Sequence, residues 1–136
     1  MFLSFLKRIF IKPHRGAVEI PRVIHMIWIG DEALRPSESI NTWQKMNPSF
    51  KVKVWGNAEL ASRSWRNAHH MKAMWDKELA GVADMMRYEI LFKEGGVYVD
   101  ADSQCIRPLD DFILSNHPFS CWESELVRPG LIHNGF

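Results

Sequence analysis

"ADMMRYEILFKEGGVYVDAD", residues 83–102, carries three structural signals in succession. From Ala80 to Glu94 the chain is rich in good helix formers and sets Val82, Met86, Ile90 and Leu91 on one side, the pattern of a half-buried helix. Gly95 and Gly96 end that helix. Residues 97–99 then read as a short buried strand, which runs into two carboxylates one residue apart, Asp100 and Asp102. In an extended chain residues i and i+2 share a side, so both carboxylates can face one cleft. Two like charges so close repel unless a cation sits with them. Three readings are open: a hard divalent-metal site, a phosphoryl-transfer nucleophile, or an acidic turn with no chemistry.

The flanking segments set the fold class. "RVIHMIWIG", residues 22–30, reads as a buried strand that stops at Gly30-Asp31. Pro36 to Asn47 reads as a helix: Pro36 suits a first turn, Ile40, Trp43 and Met46 recur at helical spacing, and Pro48 stops it. "FKVKVW", residues 50–55, alternates apolar residues with lysine, as a half-exposed strand does. A polar helical stretch runs from about Ala58 to Lys77. After the acidic pair, a strand is expected around Gln104 to Ile106, a short helix from Leu109 to Leu114, and a further strand from Phe119 to Trp122. Alternating strands and helices predict an α/β sandwich with a mostly parallel central sheet. In such sheets ligands bind beyond the carboxyl ends of the strands, where Asp100 and Asp102 fall.

Composition narrows the functional classes. The 136 residues suit one domain, and 46% hydrophobic content supplies a core. Net charge is +1, yet residues 1–16 contribute +4 through Lys7, Arg8, Lys12 and Arg15, leaving the rest at −3. A slightly acidic body argues against nucleic acid as a partner. Cys105 and Cys121 match no zinc or redox spacing and read as free thiols of a reducing compartment, hence a cytoplasmic chain. Residues 1–16 form a basic amphipathic segment apart from a body at 17–136. Phe2, Leu3, Leu6, Ile9 and Phe10 can share one helix face, which suits peripheral contact with the inner face of a membrane as well as docking on the domain itself.

Two rival motifs fail on named residues. Phosphatases of the haloacid-dehalogenase type follow Asp-x-Asp with x and then Thr or Val, where this chain has Gln104. A calcium loop of EF-hand type needs glycine at its sharp turn, where this chain has Cys105. An Asp-based phosphohydrolase using Asp100 is therefore the weaker reading.

Residues 83–102 resemble the sugar-binding region of the family-32 glycosyltransferases, which carry a DXD motif; a similar block occurs in the large glucosylating toxins. "IPRVIHMIWIG", residues 20–30, is similar to the opening strand of the same family, so the resemblance covers about Ile20 to Asp110. The family includes yeast-type initiating mannosyltransferases and bacterial capsule and polysaccharide enzymes. The resemblance implies a GT-A-like nucleotide-sugar fold and transfer, with retention of configuration, from a UDP- or GDP-sugar to a glycan or lipid-linked acceptor. It implies that Trp28 stacks on the nucleotide base, and that Asp84 and Arg87 reach the donor's hydroxyls and phosphate. It further implies that Tyr98 contacts the diphosphate, that Asp100 binds the sugar or ribose, and that Asp102, with Asp100 beside it, ligates Mn2+ or Mg2+. No catalytic base is identifiable. His25, on the apolar opening strand, reads as a satisfied core histidine. The chain stops at "LIHNGF", residues 131–136, where the family's sequence runs on. The expectation is an N-terminal donor-binding part with its sheet incomplete at the C-terminus; a truncated, non-catalytic remnant that binds nucleotide sugar is the alternative.

Overall fold

The computed structural model describes residues 19–109, 111–114, 119–121 and 126–132. The basic segment 1–16 lies outside the described residues. In chain order come β1 (Val23–Ile27), a 3-10 turn (Glu32–Leu34), α1 (Ser37–Met46), β2 (Lys51–Trp55), α2 (Asn57–Ser62), α3 (Ala68–Met74), α4 (Leu79–Glu94), β3 (Val97–Tyr98) and a second 3-10 turn (Asp111–Leu114). The three strands form one parallel sheet in the order β2-β1-β3.

β1 is central, so both its faces are covered and its sequence is almost continuously apolar. Ile24 and Met26 face one side, with Ile40 and Trp43 of α1 and with Val97 and Val99. Ile27 faces the other, with Val82, Met86 and Ile90 of α4 and with Trp55 and Trp65. Those three α4 side chains are completely buried, and each contributes about 1.5–3 kcal/mol of hydrophobic stabilisation. α1 and α4 thus lie on opposite faces, and the loops leaving β1 and β2 diverge to opposite sides of the sheet. A crevice at the strands' carboxyl ends follows from that divergence.

Gly95 and Gly96 both take positive φ, 65° and 87°, which turns the chain from α4 straight into β3. At Gly96 a Cβ would stand 2.6 Å from the Val23 carbonyl oxygen, so only glycine lets β3 close on β1 there. His25 is fully buried beside it. Its Nδ1 accepts from the Trp55 indole N–H at 3.1 Å and its Nε2 donates to the Gly95 carbonyl at 3.0 Å, tying β1 to β2 and to the end of α4. That pattern fixes the neutral Nε2–H tautomer. Burial lowers the affinity of this imidazole for a second proton, against the opposing influence of Glu94.

Several sequence-based expectations need correction. The polar stretch from Ala58 to Lys77 is two helices, α2 and α3, because residues 63–67 leave the helix to pack Trp65 into the core. Residues 104–106 form no strand: the backbone N–H of Cys105 donates to Thr42 Oγ1 at 2.8 Å instead of to a neighbouring strand. The described part of the expected strand at Phe119 to Trp122, residues 119–121, is irregular. Among the described residues, no helix is long and apolar enough to cross a membrane.

Candidate functional site

The acidic pair sits in a turn, not on an extended strand. The Ser103 N–H donates to the Asp100 carbonyl at 3.0 Å, closing a four-residue turn just past β3. Ala101 is buried in the cluster beneath α1, while Asp100 is half-buried and Asp102 exposed. A small apolar residue between the two aspartates therefore pegs the turn to the core and leaves the carboxylates outside it.

Two sets of contacts hold this turn. On the α1 side, the Trp43 indole N–H donates to the Ser103 carbonyl at 3.0 Å and lies 3.2 Å from its hydroxyl. Thr42 and Asn47 accept the backbone N–H groups of Cys105 and Leu109 at 2.8 and 2.7 Å. On the α4 side a line of contacts runs Asp84, Arg87, Tyr98, Asp100. Arg87 donates to Asp84 at 2.5 Å across one helical turn. The Arg87 guanidinium lies 4.9 Å from the Tyr98 ring centre and 5.3 Å from that of Tyr88. The Asp100 carboxylate stands close enough to the Tyr98 hydroxyl for its charge to act on it. Burial, and next the negative charge of Asp100, hold that hydroxyl protonated well above the usual phenol range, with Arg87 acting in the opposite sense.

The pair of Asp84 and Arg87 is not a surface ion pair of the ordinary kind. The Arg87 side chain is 6% exposed and that of Asp84 42%, so a buried cation carries a carboxylate at the protein's surface. A buried cation is costly unless it is paired, and the aromatic rings and Asp84 offset that cost.

Trp28 stands apart from this line. It packs with the cluster beneath α1, whereas Tyr98 packs on the α4 side, and its indole N–H donates to the Asp31 carbonyl at 3.0 Å. It nevertheless lies just past the carboxyl end of β1, at the mouth of the crevice. Asn57, not expected from the sequence, shapes that mouth: its side chain accepts from the Gly30 N–H and donates to the Gly30 carbonyl, both at 2.8 Å. Gly30 has φ +107°, and a Cβ there would meet Leu79 at 2.8 Å, so α4's first residue closes directly against the end of the β1 loop. A Gly and an Asn at the ends of two adjacent parallel strands were the available signal for this junction.

Among the described residues, no three His, Cys, Asp or Glu side chains converge to form a metal cage. Two carboxylates on one exposed turn still suit a magnesium-like ion, which keeps several waters and takes one or two carboxylates plus substrate phosphate oxygens.

Residues 34–119 match the family described as the glycosyltransferase sugar-binding region containing the DXD motif. The chain belongs to that family. It is 35% identical over 100 residues to an uncharacterised glycosyltransferase of Acanthamoeba polyphaga mimivirus, covering 69% of this chain and 40% of that protein. It is 29% identical over 102 residues to inositol phosphoceramide mannosyltransferase 1 of Schizosaccharomyces pombe, covering 70% of this chain and 32% of that protein. The chain thus spans well under half the length of these relatives. Among solved structures, the PaToxG glycosyltransferase matches with a TM-score of 0.57 at 17% identity, over 68% of this chain and 46% of that one. The likeness to PaToxG is one of fold, and it makes the architecture GT-A-like.

Proposed function

We propose that this chain is the donor-binding part, about residues 17–136, of a metal-dependent glycosyltransferase that moves a sugar from a UDP- or GDP-sugar to a glycan or lipid-linked acceptor. One observation carries the reading: in a member of this family, the contacts from Asp84 through Arg87 and Tyr98 end on the turn that bears Asp100 and Asp102. Asp100 and Asp102 would hold the ion, manganese or magnesium, which when bound neutralises charge on the departing diphosphate. Arg87 supplies fixed positive charge beneath the phosphates, and Asp84, partly exposed, accepts from sugar or ribose hydroxyls. Tyr98, kept protonated, orients Asp100. Trp28 offers its ring to the base at the crevice mouth. Retention of configuration is part of the proposal, supported by the family likeness alone. Residues 1–16, basic and amphipathic, are proposed to bring the chain to an anionic membrane surface from the cytoplasmic side.

Isothermal titration of UDP- and GDP-sugars with and without manganese tests the reading. Donor binding should need the ion and should disappear in Asp102→Ala. Equal affinity with and without manganese would overturn it. Manganese-dependent binding without turnover would assign this chain donor capture alone.

A further inference from the structure

Among the described residues, four indole N–H groups have protein acceptors: those of Trp28, Trp43, Trp55 and Trp65. Trp75 differs. Among the described residues its N–H meets no acceptor, and the residue is 38% exposed. It borders a pocket of about 410 Å³ between α3 and the start of α4, which is within the range of about 300–1,000 Å³ usual for ligand sites. Trp65, Met71 and Val82 give the pocket an apolar floor, and Lys72 and Asp76 stand at its edge. The arrangement comes from helical spacing, since Met71 and Trp75, and likewise Lys72 and Asp76, are four residues apart and share one side. Although so spaced, Lys72 and Asp76 form no ion pair with each other among the described residues.

We propose that this pocket binds one pyranose ring of a glycan, with Trp75 as the stacking platform and Lys72 and Asp76 holding the ring hydroxyls. An aromatic face is electron-rich and attracts the weakly positive C–H face of a sugar. Sugar hydroxyls both donate and accept, so one ring can satisfy an ammonium, a carboxylate and an indole N–H together. A purely apolar ligand would leave all three unsatisfied, and a phosphate would face the Asp76 carboxylate. The pocket and the proposed donor residues share α4: Val82 lies on the pocket floor, and Asp84, two residues along, is on a different side of the helix. The sugar's role as part of the acceptor rests on the transferase reading; its binding does not.

The full chain is titrated with methyl α-D-mannopyranoside, methyl β-D-glucopyranoside and methyl β-D-galactopyranoside, followed by saturation-transfer NMR and tryptophan emission. At least one glycoside should bind, at least tenfold more weakly to Trp75→Ala and to Asp76→Asn, and equally well to Asp102→Ala. No binding by any of the three, or binding that survives both pocket substitutions, overturns the proposal. Should Trp75→Ala fail to fold by circular dichroism, Asp76→Asn and Lys72→Ala, at exposed positions, decide the matter. Loss of manganese-dependent donor binding with glycoside binding intact would sink the transferase reading and leave the pocket standing; the reverse result removes the pocket alone.

Discussion

His25→Leu should destabilise the fold, and the size of the effect should depend on pH. The imidazole is fully buried and satisfies two groups that leucine cannot, the Trp55 indole N–H and the Gly95 carbonyl. Leaving a buried polar group unpaired costs about 1–3 kcal/mol, so the pair sets a loss of about 2–6 kcal/mol at pH 8. Protonating His25 would place a second N–H against the Trp55 N–H, and burial opposes the charge as well. The folded protein therefore binds that proton less tightly than the unfolded chain does. The histidine's contribution is fully present above the unfolded value near 6.5 and is lost as pH falls through the lower folded value. For one proton the slope is at most about 1.4 kcal/mol per pH unit. Urea denaturation of both proteins at pH 8, 7, 6 and 5 measures it. The gap between wild type and variant should be widest at pH 8 and narrow below about 6.5. A gap that stays constant from pH 8 to 5, or one below about 0.5 kcal/mol throughout, would refute the reasoning.

Three other perturbations test the rest of the framework. Gly96→Ala should cost about 2–4 kcal/mol by urea denaturation, because φ is +87° and the new methyl meets the Val23 carbonyl. Glu89→Ala should cost about 2–3 kcal/mol at pH 7, since the buried carboxylate accepts from the backbone N–H groups of Arg66 and Asn67, each at 2.9 Å, before α3. Burial alone would push the Glu89 carboxyl up, but those N–H groups outweigh it and hold it low, so the loss should shrink as pH falls below about 4.5. Trp43→Phe keeps the ring but removes the donor to Ser103; it should leave the circular dichroism spectrum unchanged and weaken manganese-dependent donor binding about fivefold in titration calorimetry, as the loss of about 1 kcal/mol at the acidic turn requires.

The sequence made α4 and β3 legible because hydrophobic period and punctuation agree there: helical spacing through Ile90, two glycines, then a β-branched strand. β1 was legible for a similar reason, a continuous apolar run between a proline and a glycine. The segment after Asp102 was misread because tertiary hydrogen bonds from α1 replace a sheet ladder, and no local pattern marks Thr42 or Asn47 as their source. Burial of Arg87 was likewise out of reach. Spacing alone pairs it with Asp84 at a surface, and only the return of the chain at Tyr98, eleven residues later, covers the guanidinium. Asn57 reads locally as a helix-starting residue, whereas its side chain is committed to Gly30, twenty-seven residues earlier.

These misreadings share a cause that bears on the site. The turn carrying Asp100 and Asp102 belongs to neither helix layer, yet each layer grips it from its own face of the sheet. Trp43 holds the Ser103 end through the backbone, and Tyr98, packed on Arg87, lies within electrostatic reach of Asp100 at the other end. Ala101, buried between them, prevents the turn from rotating without exposing core. On the proposed reading, a carboxylate pair that holds a metal-bound diphosphate must repel itself without moving, and two anchors on opposite faces would provide that resistance. Loss of one anchor should therefore loosen donor binding without unfolding the sheet, while loss of both should leave the family's motif present in sequence but displaced in space.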